Sequence, residues 1–294
     1  MVLSRRVVSL SVSSHEWKLS LFGLEDGNGR VIDVQRTFAP KPTVATVAFR
    51  FVALAWVVAS LVHNAAILER PWGFWFAYYT NLSVLPSLFY FVVSFLASIQ
   101  FARSQQQQQE SQKKTLLVRL MWILFPSAAA TQFAATVLFW LLVFDYNDTP
   151  SYLNLMKHGI LFAVIMLDGL VVSRIPVRIR SIAPLLVYNL GYCVFSIVHS
   201  VARMGNPWSH DNDPTTDDDA IYGALNWNKR FGTALFWTVF ANLVLFPALF
   251  FVVFALSSVG GRRYTNDYPP TKGVDELSNQ DTNPDEELGQ YPSV

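Results

Sequence analysis

The chain has few charged residues: Asp, Glu, Lys and Arg together make up 15% of its 294 residues. A typical soluble domain carries about 25%. Hydrophobic residues make up 52% of the sequence, including 23 Phe and 9 Trp. This balance excludes an ordinary soluble domain and indicates a membrane protein. The net charge of +1 gives no basic footprint for nucleic acid, so we expect no nucleic-acid partner.

Cysteine and a recognisable targeting signal are also scarce. Cys193 is the one cysteine, so no disulfide can form within the chain, and a lone Cys in an apolar run is most simply a small buried hydrophobe. The apolar stretch that follows Arg5 and Arg6 is short and interrupted by serines, unlike a secretory signal. We therefore expect residues 1–43 to form a cytosolic N-terminal tail. The polar residues 259–294 are expected to form a disordered cytosolic C-terminal tail.

Long apolar runs are what the chain does have. About 20 such residues span the hydrocarbon core of a bilayer, and helix is the default because an open strand would leave its backbone unsatisfied in lipid. Six windows qualify: residues 44–68, 74–99, 116–144, 152–174, 182–201 and 231–258. The predicted fold is therefore all-α, an integral membrane bundle of about six transmembrane helices over residues 44–258.

The side of the membrane follows from Lys and Arg near the helix ends. Twelve of these residues lie near one set of ends and five near the other. Because positive charge collects on the cytosolic side, both termini are predicted to be cytosolic. The helix ends on the other side are called the outer ends below. This pattern suits the endoplasmic reticulum, another endomembrane or the plasma membrane, and it leaves the oligomeric state open.

The fourth window stands out because it contains Lys157, His158 and Asp168. Ionisable groups inside a membrane are costly and raise a functional hypothesis by default. The second predicted helix starts outside near Phe74, so Thr80 lies six residues inward, about 9 Å at a rise of about 1.5 Å per residue. The fourth starts near residue 152, which places His158 at the same depth. Thr80 and His158 are therefore predicted to lie at one level.

Two interpretations of this level remain open. In the first, Thr80 is a nucleophile, His158 is the base that takes its proton, and a covalent acyl intermediate forms without a cofactor. Asn81, or backbone N–H groups near Gly159, would then donate to an oxyanion or support the site. In the second, Thr80 bonds its own helix backbone and His158 bonds a neighbouring helix, as such residues often do in membranes.

Asp168 and the other histidines suggest separate sites. Asp168 lies ten residues beyond His158, about 15 Å along a helix axis, which is too far for a direct triad bond. We predict that it forms a structural ion pair with Arg50, at a similar depth near the cytosolic side. His63 and His199 also lie near outer helix ends. A metal site built from His63, His158 and His199 is therefore an alternative, since imidazole is a common metal ligand.

Three short motifs resemble those of one family. Residues 76–81 read Phe-Ala-Tyr-Tyr-Thr-Asn, residues 157–160 read Lys-His-Gly-Ile, and residues 221–227 read Ile-Tyr-Gly-Ala-Leu-Asn-Trp. In this order, within a six-helix frame over roughly residues 44–258, they resemble the androgen-induced-gene and rolling-stone family of multi-pass membrane proteins.

The resemblance implies a membrane hydrolase whose catalytic Thr falls on Thr80 and whose His falls on His158. The implied substrates are fatty acid esters of hydroxy fatty acids, so membrane lipids and a lipid ester are the expected partners. Asn226 stands where the rolling-stone branch usually has Asp, and that branch is linked to cell fusion. A non-catalytic role in adhesion or fusion is therefore the second functional hypothesis.

Overall fold

The computed structural model describes residues 44–66, 72–107, 115–175, 177–206 and 220–258, all of them helix, turn or loop. Both predicted tails lie outside these ranges. Six helices are long and apolar enough to cross a membrane, which confirms the all-α transmembrane bundle. Their bounds are α1 Val44–Ala66, α2 Tyr79–Ala102, α3 Leu116–Leu141, α4 Tyr152–Val172, α5 Ile179–Val201 and α6 Phe231–Ser257.

The bundle is built around α3, which contacts α2, α4, α5 and α6. Its middle carries buried alanines at 128–130, 134 and 135. Small side chains allow neighbouring helix backbones to approach closely in a membrane, where packing rather than water drives association. Gly169 of α4 has the same effect on the other side of the contact, because a Cβ there would lie 1.9 Å from a ring carbon of Phe125. The core therefore depends on close contact between α3 and α4.

The second helix starts later than the sequence predicted. Trp72–Ala77 forms a 3₁₀-helix, and the α-helix begins only at Tyr79 after an extended Tyr78. The Asn81 side chain donates to the Trp75 carbonyl at 2.9 Å. In a continuous α-helix, that carbonyl would instead accept from the backbone N–H of Tyr79, four residues later. The predicted start near Phe74 is therefore wrong, and Thr80 is the second residue of α2 rather than a residue six positions inside it.

Four short stretches within the spans are π-helical. They are Phe139–Val143 in α3, Met156–Ile160 and Leu167–Val172 in α4, and Ala241–Leu245 in α6. A π-turn inserts one extra residue per turn, and such turns are frequent at functional sites. His158 lies in one of them with non-helical backbone angles (φ −119°, ψ 24°). The α4 helix ends at Val172, two residues before the predicted end.

The ion pair predicted between Arg50 and Asp168 is present. Arg50 Nε donates to Asp168 Oδ1 at 3.0 Å, and both residues are completely buried. The remaining Arg50 nitrogens donate to the Ser94 carbonyl at 3.2 Å and to the hydroxyls of Ser98 and Ser173. Tyr90 completes the shell by donating to the second carboxylate oxygen of Asp168 at 2.6 Å. Because α1, α2 and α4 all contribute, this cluster fixes the half of the bundle away from the outer ends.

Breaking this pair should strongly destabilise the fold. Asp168→Asn leaves a buried guanidinium without its counter-charge, and removing one partner of a buried pair costs about 3–5 kcal/mol. We expect a loss of that size in the free energy of unfolding, measured by denaturant titration in mixed micelles. The double substitution Arg50→Met with Asp168→Leu removes both charges and should be less destabilising than Asp168→Asn alone. A double variant that is less stable than the single one would contradict this account.

Candidate functional site

Thr80 lies on the wall of a cavity of about 410 Å³. The cavity is bordered by α2, α3, α5, α6 and the segment that precedes α6. Its lining is mostly apolar and aromatic, and it includes Phe139, Tyr192, Trp237 and Phe246. The π-turns of α3 and α6 both contribute to this wall. The Thr80 hydroxyl is therefore a polar group at the edge of an apolar space within the membrane-spanning bundle.

His158 is buried beside this cavity, with 3% of its surface exposed. Its ring stacks on the Phe139 ring at 3.7 Å between centroids, with 7° between the planes. Its Nδ1 lies 3.3 Å from the Ala135 carbonyl oxygen. A carbonyl can only accept, so this bond assigns the proton of a neutral imidazole to Nδ1. The lone pair is then on Nε2, the atom that a general base needs.

A hydrogen-bonded network fixes the turn that carries His158. Lys157 Nζ donates to Asn64 Oδ1 at 3.0 Å and to Asn81 Oδ1 at 2.5 Å. Trp75 Nε1 also donates to Asn64 Oδ1, at 2.7 Å. The network joins α1, α2, α4 and the 3₁₀-helix. Arg50 and Asp168 form the one salt bridge found within the described ranges, so two neutral amides, and no carboxylate there, stabilise the Lys157 ammonium.

This network determines where Thr80 and His158 lie relative to each other. Asn81 follows Thr80 and Lys157 precedes His158, so the bond between Asn81 and Lys157 brings the two turns side by side. Ala135 and Phe139 line the cavity and also contact His158, Ala135 through its carbonyl oxygen and Phe139 through its ring. Within the described residues, His158 is not part of the cavity wall and no hydrogen bond joins it to the Thr80 hydroxyl. The two residues are neighbours but are not directly bonded.

The predicted oxyanion donors have other positions. Asn81 uses its oxygen for Lys157 and its amide nitrogen for the Trp75 carbonyl, so it supports the site instead of facing the cavity. Gly159 also lies away from the cavity wall. Neither of them is placed to bind an oxyanion beside Thr80.

Tyr222 is the polar residue that does face Thr80. It lines the cavity, and its phenol interacts with the Thr80 side chain and with the backbone of Tyr79 and Thr80. Burial raises the pKa of Tyr222, and these interactions offset the rise only in part. The phenol therefore stays protonated at neutral pH and can donate a hydrogen bond. Sequence reasoning did not select Tyr222 as a site residue, although the motif at residues 221–227 contains it.

The segment that carries Tyr222 is anchored to the outer end of α5. Trp227 donates through its backbone N–H to Ser200 Oγ at 3.2 Å and through its indole to Ser196 Oγ at 3.1 Å. Asn226 is buried, and its side chain accepts from the Lys229 N–H at 2.9 Å. These bonds make residues 222–227 a fixed cover over the cavity.

The three histidines of the proposed metal site are not brought together. His63 packs near the Tyr152 ring at 6.3 Å, whereas His158 stacks on Phe139. His199 lies between two phenylalanine rings on the α5 side. Across the described ranges, no three His, Cys, Asp or Glu side chains converge as metal ligands. The metal alternative built from His63, His158 and His199 is therefore wrong.

Comparisons of the chain with protein-family models, with curated proteins and with solved structures find no match. What the protein does is therefore inferred from the geometry of its own residues. That geometry consists of an apolar cavity, a Thr hydroxyl on its wall, a phenol against that hydroxyl and an imidazole in the adjacent turn.

The Lys157 network predicts an order of stability between two variants. Asn81→Leu leaves a buried ammonium short of a partner, and the cost of such a loss is larger for a charged group than for a neutral one. Lys157→Met keeps the apolar stem and leaves only the neutral Asn81 oxygen unpaired, at about 1–3 kcal/mol, since Asn64 Oδ1 still accepts from Trp75. Thermal unfolding in detergent should therefore show Asn81→Leu to be the less stable variant. Equal or reversed melting temperatures would mean that Lys157 is already solvated.

Proposed function

We propose that the protein is a membrane-embedded lipid ester hydrolase with Thr80 as nucleophile and His158 as base. The observation that carries the proposal is the Thr80 hydroxyl on the wall of an apolar cavity, beside the Tyr222 phenol and next to the turn of His158. The motif resemblance supports the same assignment and points to fatty acid esters of hydroxy fatty acids as substrates.

The cavity suits an acyl chain. Its volume of about 410 Å³ falls within the range of small-molecule sites, about 300–1,000 Å³. An acyl chain that enters from the bilayer moves from one apolar environment to another, so the apolar walls accept it without exposing it to water, and packing stabilises the contact. The wall carries no Lys, Arg, Asp or Glu among the described residues, so it offers no counter-charge to an ionic substrate. A neutral ester with long chains fits this surface.

The proposed reaction proceeds in two halves. Thr80 Oγ1 attacks the ester carbonyl while His158 Nε2 takes its proton, and Tyr222 donates to the oxygen that becomes negative. Collapse of the tetrahedral intermediate breaks the ester C–O bond, and the leaving alcohol receives the proton from His158. Water then attacks the acyl-Thr80 ester with His158 again as base. The acyl–Oγ1 bond then breaks, the fatty acid leaves, and His158 returns the proton to Thr80 Oγ1.

Substrate binding would complete the Thr80–His158 contact. Catalytic hydrogen bonds are often long or misaligned before substrate is bound and tighten in the complex. Because the hydrogen bonds of Lys157 fix the turn of His158, rotation of the Thr80 side chain would complete the contact. The bond from Nδ1 to the Ala135 carbonyl would hold the tautomer during the movement.

Loss of either catalytic residue should abolish turnover. We expect Thr80→Ala and His158→Ala to lower kcat by at least about 10³-fold, since removal of a nucleophile or its base has effects of this order or larger. Labelling by a serine/threonine-hydrolase probe should be lost in Thr80→Ala and kept in Thr80→Ser. Lipid ester hydrolysis by purified protein measures the first effect, and peptide mapping of the label measures the second.

Turnover that survives in either alanine variant would exclude this mechanism. Full rescue of a null cell by a catalytically inactive Thr80→Ala protein would instead favour the adhesion or fusion role. Expression level and elution volume on size exclusion serve as controls for folding.

The role of Tyr222 predicts a change in kcat rather than in KM. Tyr222→Phe removes one donor to the oxyanion while keeping the ring that lines the cavity. Loss of such a donor costs about 10²–10³-fold in kcat. The matched control is Tyr78→Phe, because the Tyr78 hydroxyl bonds Asn206 at 3.3 Å and does not line the cavity. A raised KM with an unchanged kcat in Tyr222→Phe would assign Tyr222 to substrate binding alone.

A further inference from the structure

The cavity has a second polar region that the proposed reaction does not use. Asn189 and Cys193 on α5, together with Thr238 on α6, line it. Asn242, one turn beyond Thr238, donates to Cys193 Sγ at 3.3 Å and to the Thr238 carbonyl at 2.9 Å. Residues four apart share one helix face, so α5 and α6 present these side chains to each other. We call this group of four residues the α5–α6 polar patch.

Three side chains of the patch have hydrogen-bonding capacity left over. Asn189 is 1% exposed, and its oxygen accepts from the Tyr79 hydroxyl at 2.7 Å. Within the described residues, Asn189 Nδ2, Thr238 Oγ1 and Asn242 Oδ1 have no hydrogen-bond partner. Asn189 and Thr238 line the cavity, whereas Asn242 lies behind this wall. Buried polar atoms are nearly always satisfied, and they are most costly in a membrane interior. An unpaired donor and an unpaired acceptor beside one cavity indicate that a polar group of a ligand binds there.

The patch is deeper in the membrane than the catalytic residues. Thr238 and Asn242 lie seven and eleven residues from the outer end of α6, and Cys193 and Asn189 lie eight and twelve residues from the outer end of α5. These counts correspond to depths of about 10–18 Å. His158, six residues from the outer end of α4, lies at about 9 Å. A ligand whose ester is at Thr80 would therefore meet the patch with a deeper part of its hydrophobic body.

We propose that the α5–α6 polar patch binds an alcohol hydroxyl on the hydrophobic body of a lipid, at a distance from any scissile ester. A hydroxyl is both a donor and an acceptor, which matches Asn189 Nδ2 and Thr238 Oγ1, the unpaired polar atoms of two residues that line the cavity. A carboxylate or phosphate is excluded because the described cavity wall contains no cationic side chain. The alcohol belongs either to a hydroxylated acyl chain or to a sterol. The proposal rests on the proposed function only in treating the cavity as a lipid site.

The test measures binding in Thr80→Ala protein, so that no hydrolysis is needed. Full-length protein in nanodiscs is titrated with two radiolabelled pairs of neutral lipids. They are methyl hydroxystearate with a mid-chain hydroxyl against methyl stearate, and cholesterol against its deoxy analogue cholestene. A net hydrogen bond in a buried site predicts about 5- to 10-fold tighter binding of the alcohol in one pair. The pair that shows the preference identifies the source of the hydroxyl. Equal affinities within both pairs would overturn the proposal.

Substitutions then locate the preference. In the same background, Asn189→Leu should bring the alcohol down to the affinity of its deoxy analogue and leave the deoxy analogue unchanged. Thr238→Val keeps the Tyr79–Asn189 bond and the shape of the wall, and it should also lower the preference. Tyr79→Phe, which removes that bond but keeps the Asn189 amide, should retain it, as should the control Val194→Ala on the exposed face of α5. A preference unaffected by both Asn189→Leu and Thr238→Val would overturn the proposal.

The proposed hydrolase activity can fail separately. Wild-type protein that binds the alcohol selectively but hydrolyses no ester would exclude the reaction and keep the polar patch. Hydrolysis of an ester without any preference for the alcohol would keep the proposed reaction and exclude the hydroxyl site at the polar patch.

Discussion

The contact of Lys157 with two asparagine side chains is the interaction on which the candidate site depends. A cation within a membrane-spanning helix is costly, and it needs polar partners inside the protein because lipid supplies none. Asn64 and Asn81 supply them from α1 and α2. As a result, the residue before His158 is tied to the residue after Thr80. The relative position of Thr80 and His158 follows from the need of the buried Lys157 ammonium for hydrogen-bond acceptors.

The α4 helix therefore carries two polar sites with different roles. Toward its outer end, two neutral amides accept from Lys157, and the neighbouring imidazole has one nitrogen without a hydrogen bond to the described residues. Toward its other end, Asp168 meets Arg50 in a cluster in which both side chains have several partners. A fully bonded pair of this kind fixes helices and leaves no group free for chemistry. Polar residues in a single membrane helix can thus be assigned to structure or function by asking which of their atoms still lack a partner.

The sequence predicted the parts of this structure that depend on hydrophobic length and on charge. The six spans follow from the thickness of the hydrocarbon core, and the Arg50–Asp168 pair follows from two opposite charges at a similar depth. The start of α2 could not be predicted, because it depends on a bond from the Asn81 side chain to a carbonyl in the preceding 3₁₀-helix. The π-turns and the position of Tyr222 depend on packing between distant segments. Each lies beyond what periodicity can show.

The cavity combines two requirements that are hard to meet together in lipid. In the proposed reaction, an ester must reach a nucleophile and a water molecule, and its hydrocarbon must stay in an apolar environment. The position of Thr80 near the outer end of the bundle, beside the anchored segment of residues 222–227, would meet the first requirement. The aromatic walls deeper in the bundle meet the second. The α5–α6 polar patch farther down would add no reactivity, since its four residues include no His, Asp, Glu or Lys. It would only distinguish ligands by the oxygen that they carry. Under the proposed function, reactivity would therefore be placed near the outer end and selectivity deep in the membrane.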